Sequence, residues 1–486
     1  MRIIWVALLA IATPVVAQAQ GATPAGPATT AVAPTPAPDR DKQIEDWGRA
    51  NAPAVKAAVS VGDLTRSADR LRAIVPAVAP LSDTEICDLL IAAADAFNGI
   101  GEHASALLLG QTSLDWASLK KLPPGYYYDA LSRTGSARYA AADFAGAARD
   151  LSASVERARE IQPFSANAVA NATANHAVVL DAGGRYREAL LAFETAIKLR
   201  LSVTPVRVEG LAITYAAQAA VNKRMGRWDL AEANYRKALN VMEVAEMTTG
   251  RQFTRVLHNY AVFVSDQGRD EEAVKLYQRV LDLTPADKRM ASNMIPDYST
   301  MAGALGNLGR HDEADRTIAV AIAIVEKQPK PTADTGYAYA NRAALKEDRG
   351  DLAAAEADRR HALAIDRIVY RGDRNLPVAV DLLALSAILR KRDNLAEAQR
   401  YAAEAVAMSD VIPDLNPLRA VILDGYAASL VSGSRGPEAL ASSRLASELL
   451  ARRFELDRER DPGPMPAEQR PIMGRRIALA WDAAHP

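Results

Sequence analysis

From about Asp41 onward, alanine-rich helical runs follow one another, with apolar residues recurring three and four positions apart. No stretch alternates β-branched and polar residues for long enough to suggest a sheet. The pattern predicts an all-α chain. The beginning of the chain reads differently. Arg2 supplies a positive start, Ile3 to Val16 an apolar stretch, and Ala17-Gln18-Ala19 a small-x-small cleavage pattern, so residues 1–19 are predicted to be a signal peptide cut after Ala19. That stretch, about 14 residues interrupted by Pro14, falls short of the roughly 20 needed to cross a bilayer, and no membrane insertion is expected after cleavage. Residues 20–40 are rich in Gly, Ala, Thr and Pro, which cannot bury a core; they predict an extended linker.

The helical runs repeat with a period of about 42 residues. Gly184-Arg-Tyr-Arg-Glu-Ala189, Gly226-Arg-Trp-Asp-Leu-Ala231, Gly268-Arg-Asp-Glu-Glu-Ala273 and Gly309-Arg-His-Asp-Glu-Ala314 align as one turn and helix start, and Gly350 to Ala355 and Asp393 to Ala398 continue the series. The closing alanine recurs as Ala106, Ala147, Ala189, Ala231, Ala273, Ala314, Ala355, Ala398 and Ala439. Twelve residues earlier stands a second row of small residues: Ala94, Gly135, Ala177, Ala219, Ala261, Ala302, Ala343, Ser386 and Ala427. Two antiparallel helices approach closely only where facing side chains are minimal, so the paired rows mark helix crossings. A third row, from Ser113 and Ser154 through Ala196, Ala238, Val280, Ala321, Ala362, Ala405 and Ala446, is expected to pack each second helix on the next unit. The recurring glycine suits a left-handed cap ending the first helix; Asp393 and Ser434 replace it in two units.

The pattern small-x6-Gly-x-aromatic-x2-Ala-x3-aromatic-x2-Ala, carried by Ala177, Gly184, Tyr186, Ala189, Phe193 and Ala196, resembles the tetratricopeptide repeat. The longer spacing is similar to the kinesin-light-chain variety. The resemblance implies a right-handed α-solenoid of about nine to ten helix-turn-helix repeats over residues 85–460. Residues 41–84, with Gly62-Asp-Leu, read as an N-terminal helical cap or a degenerate repeat. In 461–486, Asp461-Pro-Gly-Pro breaks the array and Arg475 to Ala484, with Trp481, is expected to fold back as a capping helix.

In such an array the first helices line a concave surface, and a ligand site is a row recurring at the repeat period. Two positions before the crossing residue stand Arg133, Asn175, Ala217, Asn259, Thr300 and Asn341. Asn175, Asn259 and Asn341 precede x-Ala, as in the Asn-Leu-Ala motif of the kinesin-light-chain type; the resemblance implies amides that hold the backbone of an extended peptide. An amide donates and accepts at once, which suits that role, but equally suits bonding to a neighbouring helix, and both readings stand. Charges near the same face change sign along the array: Asp181, then Lys223 and Arg224, then Asp266, then Glu347 and Asp348, then Arg390 and Lys391. Lys223 and Arg224 are further peptide-contact candidates, against a reading of these charges as solvated helix ends.

Composition narrows the functional classes. With 58 basic and 59 acidic residues the formal net charge is −1, which gives no global excess to attract nucleic acid, and the alternating signs along the face are not one basic stripe; protein or peptide partners are expected. Cys87, the single cysteine, lies in the apolar run Ile86 to Phe97 and reads as a buried, inert thiol. The six histidines show no metal-ligand spacing, and His103 and His311 occupy a slot that holds Tyr186 and Trp228 elsewhere, where packing is expected. Gly303, Gly306 and Gly309 lack the Lys and Ser or Thr of a phosphate loop; Gly303 and Gly306 either thin the helix for a ligand or merely weaken it. Tyr126, Tyr127 and Tyr128 read as core packing rather than an aromatic platform. No catalytic site and no cofactor is expected. The sequence predicts a periplasmic or secreted scaffold binding an extended peptide or helix, the alternatives being a structural subunit of an envelope assembly held through caps or convex face and, behind it, an all-helical carbohydrate-active enzyme.

Overall fold

A computed structural model describes residues 40–76, 80–370, 376–414, 416–432, 435–458 and, near the C terminus, 472, 474–476, 478 and 479. The expected signal peptide, the expected linker up to residue 39, Ser434, the expected break at Asp461 and Trp481 lie outside the described residues. Among the described residues every regular element is helical, and the protein is an all-α solenoid. Three short helices come first: α1 (Arg40–Ala50), α2 (Ala52–Ala58) and α3 (Leu64–Ile74). Nine antiparallel pairs follow among the described residues: α4 (Asp83–Gly99) with α5 (His103–Lys120), α6 (Pro124–Ala140) with α7 (Phe144–Glu160), α8 (Ala166–Ala182) with α9 (Tyr186–Leu201), α10 (Val208–Arg224) with α11 (Trp228–Val244), α12 (Arg251–Asp266) with α13 (Asp270–Leu283), α14 (Ile295–Asn307) with α15 (His311–Glu326), α16 (Ala333–Asp348) with α17 (Leu352–Val369), α18 (Leu376–Lys391) with α19 (Leu395–Met408), and α20 (Pro417–Ser432) with α21 (Gly436–Arg458).

The chain divides into two compact units. The first comprises Leu191–Gly210 with the described residues up to Leu180; the second comprises Asp181–Leu190 with the described residues from Leu211 onward. In the first unit, α1 packs on α4, and Val55 of α2 and Leu71 of α3 are buried in the same cluster as Leu89, Leu90 and Leu109. Ser82 caps α4 in a reciprocal box: its Oγ accepts from the Glu85 N–H at 3.2 Å, while Glu85 accepts from the Ser82 N–H at 2.7 Å. Glu85 also accepts from Arg40 at 2.5 Å, which fastens the start of α1 to the first repeat. Tyr128 is buried, and Tyr126 and Tyr127 pack against the cluster, with the Tyr127 hydroxyl donating to the Ala117 carbonyl at 2.9 Å.

All three rows of small residues are buried, and the first is essentially sealed from Ala106 to Ala439. Gly135 shows why the crossing must be small: a Cβ there would stand 2.6 Å from Leu151 Cγ. Gly306 has a comparable reason, since an added Cβ would stand 2.7 Å from Leu345 Cδ2, so α14 and α16 pack closely at that point; Gly303 faces open space. Around the crossings Tyr186, Phe193, Tyr277 and Phe263 are fully buried, each contributing roughly 2–3 kcal/mol of apolar burial. The turn position is left-handed in eight pairs among the described residues: Gly101, Gly184, Gly226, Gly268, Gly309 and Gly350 take φ between 71° and 81°, while Ala142 and Asp393 are held at 62°. Asp393 was legible as a substituted turn; Ala142 bears the same strain unannounced.

Two smaller expectations change. His311 is exposed at the first turn of α15 rather than packed, because the residue opening that helix has no cover in this pair. His103, in the equivalent slot, is half-buried and bonds Asn98 Oδ1 at 2.9 Å. Of the helix expected over 475–484, residues 475, 476, 478 and 479 are described and helical, and Arg475 donates to Asp424 at 2.7 Å.

These contacts set opposite signs for two substitutions. Ala142→Gly relieves a left-handed alanine and raises stability by about 1 kcal/mol. Ala261→Leu forces a side chain into a filled crossing and costs about 1–3 kcal/mol. Urea denaturation followed by circular dichroism reads both as opposite shifts of the midpoint from the parent chain.

Candidate functional site

First helices of successive pairs lie side by side: α4 with α6 in the first unit, and α12 with α14, α14 with α16 and α18 with α20 in the second. Residues on their shared face are the ones a docked segment would meet, and the structure sorts the sequence candidates by how their polar atoms are already used.

Asn175 on α8 and Asn259 on α12 are half-buried, and their side-chain amides make no hydrogen bond to any described residue. Each keeps a whole amide, donor and acceptor together, available to a ligand backbone. Asn341 on α16 is buried; its Nδ2 donates to the Tyr337 carbonyl one turn back at 2.8 Å, while its Oδ1 is enclosed and meets no donor. Thr300 on α14 is buried too, its hydroxyl donating to the Pro296 carbonyl at 2.7 Å. Both therefore spend a donor on their own helix, a local bond that competes with outside partners.

The charged candidates are engaged across repeats. Arg224 pairs with Asp181, Lys223 with Asp266, and Lys391 with Glu347 at 2.7 Å, each joining the ends of neighbouring first helices. The alternation of sign read along the sequence is thus a brace between one pair and the next, not a set of solvated ends. A second brace runs along the second helices, where Arg269 meets Glu232 at 2.8 Å and Arg360 meets Glu397 at 2.8 Å. Arg133 on α6 lies 2.6 Å from Asp95 on α4. Around it the first unit gathers Asp41, Glu45, Asp88 and Asp129; burial first, then these carboxylates and Glu85, push Asp88 up to about 7.

Sequence reasoning missed the most heavily buried charges. Arg359 of α17 donates to Asp381 of α18 at 2.9 Å and to the Ala340 carbonyl of α16 at 3.1 Å, with both charged side chains nearly inaccessible. Asp366, two turns along α17, is also buried, and Gly336 makes room for it: a Cβ there would stand 2.0 Å from Asp366 Oδ1. Asp381 bonds the guanidinium directly, whereas Asp366 feels its charge without a bond to it, and the Asp366 Oδ1 is enclosed and meets no donor. Burial first, then the Asp381 charge, push Asp366 up to about 8, and burial raises Asp381 as well. The one available signal was Asp381 itself, a lone carboxylate in the apolar helix from Leu376 to Leu389. His258 and Asp297 form another pair, with Nδ1 and Oδ1 2.8 Å apart beside the Tyr277 ring.

Cys87 is buried, its thiol donates to the Ser113 carbonyl at 3.6 Å, and burial pushes its pKa up to about 12, so it holds its proton at neutral pH. Among the described residues no group of three or more His, Cys, Asp or Glu is placed to hold a metal, and no helix is long and apolar enough to cross a membrane.

Comparisons with known proteins place these observations. A family model described as the tetratricopeptide repeat matches residues 210–286. No curated protein matches the chain significantly. Among solved structures, BtubC (BKLC) from P. vanneervenii is 18% identical with a TM-score of 0.40, covering 46% of this chain and 93% of that one. Yeast Tom70 is 14% identical with a TM-score of 0.47, over 91% of this chain and 90% of that one. The apo form of RapI is 9% identical with a TM-score of 0.48, over 76% and 97%.

The buried carboxylates give a pH-dependent prediction. A carboxyl whose pKa is near 8 when folded and about 4 when unfolded keeps its proton only in the fold. Its stabilising contribution is therefore whole below about pH 4 and is lost as pH rises through 8. Asp366→Asn removes this penalty: its stability should equal the parent's near pH 4 and exceed it by a few kcal/mol at pH 8, as read from paired urea titrations.

Proposed function

We propose that this chain, whose residues 210–286 match the tetratricopeptide-repeat family model, is an exported scaffold holding an extended peptide or a helix of a partner protein along its first helices. The observation that carries this reading is the unequal use of polar groups on that face. Lys223, Arg224, Lys391 and Arg133 are engaged with carboxylates of neighbouring helices, whereas the amides at Asn175 and Asn259 recur in the same register with nothing attached. A rigid face with unspent amides suits main-chain recognition, in which affinity comes from backbone bonds and demands little of the ligand's sequence.

Each unit carries its own instance, Asn175 in the first and Asn259 in the second. Asn341 takes no part in this recognition: it is buried, and its Nδ2 is committed to its own helix. The ion-pair braces supply the stiffness: each is partly exposed and individually modest, but together they tie consecutive repeats into one support. Partners are accordingly proteins or peptides. Export to the periplasm or beyond is supported by Arg2, the apolar run Ile3 to Val16 and the Ala17-Gln18-Ala19 pattern.

Two experiments test this reading. After cross-linking in intact cells and mass spectrometry identify a partner, Asn175→Ala and Asn259→Ala should each weaken its binding by about ten-fold, with helicity unchanged; retention of full affinity by the folded double variant removes main-chain recognition on this face. In the producing cell, the mature chain should begin at Gln20, and Ala19→Arg should leave a longer, unprocessed precursor in the membrane fraction; an identical N terminus in both would discard the export reading.

A further inference from the structure

The connector between α19 and α20 carries a residue whose bonds reach far beyond its own repeat. Asn416 accepts from the Leu418 N–H through Oδ1 at 3.0 Å, the bond of a helix N-cap. Its Nδ2 donates to the main-chain carbonyl of Ala182 at 3.0 Å, 234 residues away in sequence and within the same compact unit. One amide thus serves two helix ends. The acceptor is a carbonyl at the C terminus of α8, where the last turn leaves carbonyls without intrahelical donors.

The connector is built to present this amide. Ile412 is buried in the cluster of Leu383, Tyr401 and Ile422, and its N–H donates to the Ser409 carbonyl at 2.9 Å. Arg419 pairs with Asp410 and Asp414, at 3.2 and 2.5 Å, and the Asn416 N–H closes a turn on the Pro413 carbonyl at 2.8 Å. Pro413 and Pro417 bracket the residue, and fixed φ at both lowers the entropy lost in holding it there. The receiving end is braced as well: Asp181, beside Ala182, is ion-paired to Arg224 of α10. Both sides of the bond are therefore held by further contacts of their own.

We propose that Asn416 is a clasp that joins the end of α8 to the connector before α20, and that the second unit exchanges between a closed form holding this bond and an open form lacking it. The clasp stands on its own geometry, whether or not the first-helix face receives a peptide. A single amide-to-carbonyl bond shifts such an equilibrium only about two- to ten-fold, which makes it easily reversed by any partner that prefers one form.

The competing explanation is that Asn416 merely caps α20. Aspartate and serine are comparable N-caps but lack the Nδ2 donor, so Asn416→Asp and Asn416→Ser keep the cap and delete the clasp. Spin labels on the exposed positions Glu188→Cys and Ala407→Cys, with the buried Cys87 changed to Ser, report the separation of the two ends by pulsed electron–electron resonance. The parent chain should show a dominant short distance. Both substitutions should transfer population to a longer one, lowering the closed-to-open ratio about five-fold at unchanged helicity. Distance distributions identical in parent, Asn416→Asp and Asn416→Ser would overturn the clasp and leave a cap, as would a parent chain with no short-distance population.

Discussion

A pair of antiparallel helices can bring their backbones close only where neither carries a side chain of any size at the point of crossing, and this chain meets that requirement once per repeat. Gly135 against Leu151 and the sealed alanines from Ala106 to Ala439 leave no volume for a larger residue. Everything else follows from that approach: the tyrosines and phenylalanines fill the wedges beside each crossing, the left-handed turn reverses the chain within a few residues, and the first helices fall side by side.

Close stacking then decides what the charges do. Once neighbouring first helices pack side by side, residues one period away in sequence become neighbours in space, and Arg224 pairs with Asp181 while Lys223 pairs with Asp266. The same stacking also traps charge where it is costly. Arg359, Asp366 and Asp381 sit between three helices with one positive charge for two carboxyl groups, so the interior holds a proton there rather than a second anion.

A repeat array distributes its stability over nearest-neighbour interfaces, and long-range contacts are the exception. The bond from Asn416 to Ala182 is such an exception, because it couples two parts of the second unit that share no nearest-neighbour interface. Its weakness relative to the summed crossings is what allows it to act without unfolding anything.

Small residues recurring at one spacing were enough, in the sequence alone, to establish a helical array, its crossings, most of its turns and the register of Asn175, Asn259 and Asn341, because helix periodicity and close approach are local demands that each repeat states again. The strained alanine at 142 was hidden, since its φ is imposed by the pairs around it and not by its own preference. So were the partners of Lys223 and Arg224, the loss of Asn341's donor to its own helix, and the burial of Asp366, all of which depend on which surfaces are pressed together. The contact of Asn416 with Ala182 lies furthest from the sequence, because a separation of 234 residues is closed only by the accumulated small rotations of the repeats between them, and no single repeat encodes that sum.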